Sequence, residues 1–274
     1  MESKMNTKLK SALFAGFLLA AGSASAADVY LQAQTFNKDL TDSLGNPQSV
    51  PMWGFATCNS DFSTCELPTA PGAQINLLST DSLTIHLNNQ LGTAVSVVIP
   101  GQAEASAGAP AAAVLDGQSR ARRLSLTHDT PAGGTGTYTW NTLKAGTYLY
   151  QSGTQPSIQV PMGLYGALVV NVSAGNAYSD VTYDNDAVLL FSEIDPLQNQ
   201  RVAATPGTPT QACQSMDDYL TDGSPGFPCT IDYKPLYFLV NGEAAPELAN
   251  LEQNVLLISY FQKKITLIRV PSDL

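Results

Sequence analysis

The amino-acid sequence predicts an all-β protein built as a sandwich or a barrel. Helical periodicity is almost absent along the chain. Short runs rich in β-branched and aromatic residues recur instead, separated by Gly, Pro, Asn and Asp. Leu83, Ile85 and Leu87 alternate with Thr84, His86 and Asn88, the pattern of a strand with one buried and one wetted face. Many short strands joined by turns fit a sandwich or barrel better than any layered α/β arrangement.

The first 26 residues read as a secretory signal. Lys4, Lys8 and Lys10 form a basic start, Ala12 to Ala21 is an apolar run of about ten residues, and Ala24-Ser25-Ala26 is a small-x-small cleavage site. A run of that length is too short to span a bilayer, which argues against a retained anchor. Met5 is an equally good start codon product. The mature chain is expected to begin at Ala27, in the periplasm or outside the cell. No later stretch is long and apolar enough for a membrane helix.

Strands are expected near 29–34, 50–55, 74–78, 83–88, 95–99, 137–140, 147–151 and 167–172, and again near 188–192, 236–240 and 255–260. Residues 103–113, an Ala/Gly/Pro/Ser stretch, and residues 205–228, rich in Pro, Gly and Asp, read as loops. The polar stretch 175–186 is the best domain boundary, dividing a domain over 27–178 from a second over 179–274. There is no internal repeat at a fixed period.

The net charge is −10, and removing a signal with three lysines and one glutamate makes the mature chain more acidic still. That argues against nucleic acid or anionic lipid as a partner. The four cysteines are Cys58, Cys65, Cys213 and Cys229. An even count in an exported chain favours disulfides, and sequence proximity favours Cys58–Cys65 and Cys213–Cys229. A four-cysteine metal site is the alternative, although neither pair has the close spacing of a zinc site.

Four blocks, in order, resemble the plastocyanin-like (cupredoxin) N-terminal domain of multicopper oxidases. They are Thr80-Asp81 leading through the 83–88 strand to Asn88-Asn89; residues 96–101 (SVVIPG); Tyr138-Thr139-Trp140 with Gly146-Thr147-Tyr148-Leu149-Tyr150-Gln151-Ser152-Gly153, closing on Gly163-Leu164-Tyr165-Gly166; and residues 188–196 (VLLFSEIDP) with 237–242 (YFLVNG) and 255–259. The resemblance implies a Greek-key sandwich of cupredoxin type, followed by the start of a second such domain. It also implies copper-dependent oxidation of phenols or low-valent metal ions, with dioxygen as acceptor.

In that family the first domain supplies two His-x-His pairs to a three-copper cluster. Alternation along a strand sends residues i and i+2 to one side, so two imidazoles can reach one cluster. Here the positions fall on Val98 and Pro100, and on Gln151 and Gly153. Val, Pro and Gly side chains offer no donor atom, and Gln is a poor copper ligand beside imidazole. The whole chain has two histidines, His86 and His128. The expectation is therefore that this chain alone takes no copper, no other cofactor and no catalytic residue from the family.

Other constellations carry less. Arg120, Arg122 and Arg123 form the one basic cluster, read as a solvated loop or a docking or protease-sensitive patch. Asp180, Asp184 and Asp186 lack the spacing of a calcium loop. Glu193 and Asp195 are two apart, as paired carboxylates can be in glycosidases, but lie at the junction of the two domains. Residues 133–136 (GGTG) lack the Lys-Ser/Thr ending of a phosphate loop, and no GxSxG is present.

The resemblance stops after Ser259, which reads as the end of a truncated gene product and predicts exposed strand edges and self-association through the incomplete second domain. The rival reading is a non-catalytic exported β-sandwich that binds a partner or serves a structural role.

Overall fold

The computed structural model describes residues 25–42, 44–106, 112–115, 119, 121–183, 186–204, 233–244 and 266–271. Leu83, Ile85 and Leu87 are all fully buried, as their alternation requires. They lie on β4 (Ser82–Asn89), an inner strand of a sheet whose order is β2-β1-β4-β7. Its other members are β1 (Ala26–Thr41), β2 (Pro47–Thr57) and β7 (Thr135–Trp140). β1 runs parallel to β4 and antiparallel to β2.

A second sheet has the order β3-β9-β8, from β3 (Gly72–Leu78), β8 (Gly146–Gln151) and β9 (Tyr165–Asn171). The short pairs β5 (Val114–Leu115) with β6 (Ala121–Arg122), and β10 (Asn176–Tyr178) with β11 (Val181–Thr182), lie outside both sheets. One core joins the two sheets: Leu31, Leu83, Ile85, Leu87, Tyr138 and Trp140 from the first meet Ile75, Leu77, Tyr150, Leu168 and Val170 from the second. Burying each of these large side chains stabilises the fold by roughly 1.5–3 kcal/mol. The result is the all-β sandwich that the sequence predicts.

Several motif residues act as fasteners. Asp81 is buried, and its carboxylate accepts the Leu78 N–H at 2.8 Å and the Ser25 N–H at 3.1 Å, tying β3, β4 and the start of β1 together. Asn89 has no exposed surface; its amide donates to the carbonyls of Thr93, Thr130 and Pro131 and accepts from the Leu91 N–H. In the Gly163…Gly166 motif, Gly163 has φ +122°, and a Cβ there would meet the Trp53 carbonyl at 2.1 Å. A Cβ on Gly166 would strike the Tyr150 ring at 2.3 Å. Only glycine fits either place.

A third sheet, β14-β13-β12-β15, holds β12 (Asp186–Ile194), β13 (Tyr237–Val240), β14 (Glu243–Ala244) and β15 (Thr266–Pro271). Ile194 and Leu239 of this sheet pack with Leu40, Val50 and Met52 of β1 and β2. In the Tyr237–Gly242 motif, Asn241 at the turn bonds back to β12: its side-chain oxygen accepts the Leu190 N–H at 2.8 Å and its amide donates to the Val188 carbonyl at 3.0 Å.

Three expectations need correction or placing. Two helices interrupt the β pattern, α1 (Pro156–Met162) and α2 (Pro196–Ala204), each too short to show a helical period in sequence. The expected strand at 95–99 is not a ladder. Val95 bridges Thr130 while Val98 bridges Gln151, so the segment splits its backbone bonds between two partners, and Pro100 offers no N–H to prolong either. The expected strand at 255–260, Cys213, Cys229, Arg120, Asp184, the first 24 residues and the whole loop at 205–228 lie outside the described residues. Cys58 and Cys65 are disulfide-bonded across a short antiparallel bridge.

Candidate functional site

The two segments that bear the substituted ligand positions meet. Val98 and Gln151 exchange both backbone hydrogen bonds at 2.9 Å. Gly153 is buried against them: a Cβ there would lie 2.7 Å from Val98 Cγ1 and 3.0 Å from Ser96 Oγ. Pro100, at the far end of its segment, faces solvent. Three of the four positions are thus adjacent, and the space an imidazole on residue 153 would need is taken by the Val98 side chain.

Around them lies a buried set of hydroxyl and amide side chains. Ser96, Ser125, Ser152 and Thr154 are each less than 5 % exposed. Thr154 Oγ1 is 2.8 Å from Ser96 Oγ and 2.6 Å from Asp129 Oδ1. Ser125 donates to the Thr127 carbonyl at 2.9 Å. Ser152 donates to Gln159 of α1 at 2.6 Å, and the Gln159 amide donates to the Ala94 carbonyl at 2.8 Å. Buried polar groups are tolerable only when paired in this way. The sequence reading missed this cluster. Its one signal was position: Ser96 and Thr154 each flank a substituted ligand site.

The two histidines are occupied elsewhere. His86 Nε2 is 2.8 Å from Asp28 Oδ1 on the outer face of the first sheet, and its ring stacks on Tyr30 at 4.5 Å. His128 stacks on Tyr138 at 4.2 Å, and burial pushes its pKa down, favouring the neutral ring. The Tyr138 hydroxyl donates to the His128 carbonyl at 3.1 Å and lies 2.9 Å from Thr130 Oγ1.

The remaining charged candidates serve locally or stand apart. Asp195 is buried and caps α2: one oxygen accepts the N–H groups of Leu197 and Gln198, the other that of Lys234 at 2.7 Å. Glu193 lies on β12, two residues before it. Asp180 sits in a turn and Asp186 opens β12, while Arg123 is exposed beside the short strand β6. Among the described residues, no group of three or more His, Cys, Asp or Glu side chains could hold a metal ion.

The family's copper does not fit this donor set. Imidazole is absent from all four positions, the Val98 methyls close the gap between segments, and the neighbouring polar atoms are hydroxyls bonded to one another.

Among the described residues, no helix is long and apolar enough to cross a membrane. A multicopper oxidase family model matches residues 68–175, the span that holds the first three motif blocks. The chain is 28% identical over 141 residues to an L-ascorbate oxidase of Brassica rapa subsp. pekinensis, a match covering 52% of this chain and 23% of that protein. It therefore spans about a quarter of that relative's length. Among solved structures it is similar to a multi-copper oxidase from Pseudomonas thermotolerans, with 21% identity, TM-score 0.40, and coverage of 54% of this chain and 30% of that one. It is also similar to Fet3p, a multicopper oxidase that functions in iron import, with 17% identity, TM-score 0.47, and coverage of 80% and 33%. Over residues 68–175 the chain is similar to the multicopper oxidase family.

Proposed function

We propose that this domain is a copper-free member of its family, so that the chain by itself does not oxidise phenols or low-valent metal ions with dioxygen. One observation carries the reading: Val98, Gln151 and Gly153 converge as ligand-bearing segments should, yet bring no imidazole with them. Copper needs nitrogen or thiolate donors in a fixed geometry, and a wall of Val, Gly and backbone supplies none. The domain's contribution is then its shape, a rigid sandwich on which the third sheet packs. The Cys58–Cys65 disulfide favours an oxidising compartment, so the protein works in the periplasm or outside the cell.

The test is dioxygen uptake by the purified full chain, preincubated with Cu(II) and desalted, using a phenol and a ferrous salt as reductants. The reading expects uptake no faster than buffer carrying the same residual copper. Turnover that scales with protein concentration would overturn it.

A further inference from the structure

We propose that Ser96, Ser125, Asp129 and Thr154 form a metal-independent clamp, holding together the three chain segments that meet at the substituted ligand positions. The proposal rests on the copper-free reading above. A metal cross-links a fold by bonding donor atoms from segments remote in sequence. Here the same work falls to hydroxyls and one carboxylate, drawn from residues 94–98, 124–130 and 151–155.

The hydrogen count fixes how the clamp is wired. Thr154 Oγ1 contacts both Ser96 Oγ and Asp129 Oδ1, but a hydroxyl has one hydrogen. Thr154 is the donor in both contacts, so its single hydrogen is shared between Ser96 Oγ and Asp129 Oδ1. Ser125 lies 3.4 Å from both Ser96 and Thr154 and spends its hydrogen on the Thr127 carbonyl. Two backbone bonds run in parallel: Leu126 N–H to the Gly153 carbonyl at 2.9 Å and Gln155 N–H to the Leu124 carbonyl at 2.6 Å. Thr154 is the hub. It is nearly fully buried, so deleting its hydroxyl takes that partner from the fully buried Ser96 hydroxyl and from the partly exposed Asp129 carboxylate.

The experiment is thermal unfolding with amide hydrogen exchange on the full chain, for the parent, Thr154→Val, Thr154→Ser and Asp129→Ala, each with Cu(II) and with EDTA. The clamp expects Thr154→Val to lower Tm by about 4–8 °C and to speed exchange at Leu126 and Gln155. Thr154→Ser, which keeps the hydroxyl, stays near the parent. Asp129→Ala, at a half-exposed site, reproduces the faster exchange even if Thr154→Val fails to fold. Neither copper nor EDTA moves the parent. Unchanged exchange in Thr154→Val and Asp129→Ala, or a fall in Thr154→Ser as large as in Thr154→Val, would overturn the clamp. A rise in the parent's Tm with copper would overturn the copper-free reading instead, a separate outcome of the same experiment.

Discussion

Val98 and Gln151 pair as direct neighbours in an isolated antiparallel bridge, although 52 residues of chain lie between them. The two segments are joined there by a pair of backbone hydrogen bonds. Packing is tight at Gly153, where Val98 and Ser96 occupy the room a side chain would need.

Gly153→Ala is therefore expected to destabilise the chain by about 1–3 kcal/mol in urea unfolding. Because Val98 Cγ1 is the nearest obstacle to the new Cβ, Val98→Ala in the same chain should relieve part of that penalty. Strictly additive losses in the double-mutant cycle would show that the two side-chain positions do not compete for space.

The Cys58–Cys65 bridge closes a loop with a sequence separation of 7, beside the edge-on contact of Tyr30 with Phe62. Replacing both cysteines by serine should cost about 2–3 kcal/mol by loop-closure entropy. Urea midpoints of the two proteins measure it, and coincident midpoints would contradict the assignment.

Alkaline pH should unfold the protein. Burial pushes the Tyr138 hydroxyl up to about 12, and Tyr165 likewise to about 12, from an ordinary value of 10.0. Between those values the unfolded chain has lost protons that the folded chain retains, so stability falls as pH rises through the window. Each tyrosine contributes on the order of 3 kcal/mol, fully present below pH 10 and gone above about 12. Urea unfolding between pH 9 and 11.5 should show the decline, and Tyr138→Phe should flatten it. A slope indifferent to that substitution would contradict the assignment.

Much of this architecture could be read from the chain. The 83–88 alternation placed β4, and the Gly-Thr-Tyr and Gly-Leu-Tyr-Gly blocks placed β8 and β9 within two residues. β1 proved longer than expected because residues 36–41 are polar in composition yet pair with 47–52 in unbroken register, and Leu40 packs under the third sheet. α1 spans seven residues and holds two prolines, Pro156 in its opening turn and Pro161 inside it, so it leaves no helical period to read. α2 did carry a signal: Asp195-Pro196 is a capping residue followed by proline at the first helical position. The residue types at positions 98, 100, 151 and 153 are plain in the sequence. The Ser96–Thr154–Asp129 cluster is not, because its members come from three segments that only the fold brings together.

The most direct measurement is the copper content of the purified full chain, incubated with excess Cu(II), passed through a chelating column and analysed by elemental mass spectrometry with a visible absorption spectrum. Far less than one copper per chain and no blue band are expected. Several copper ions retained per chain, or an intense blue absorption of the kind a copper–thiolate bond gives, would contradict the copper-free reading.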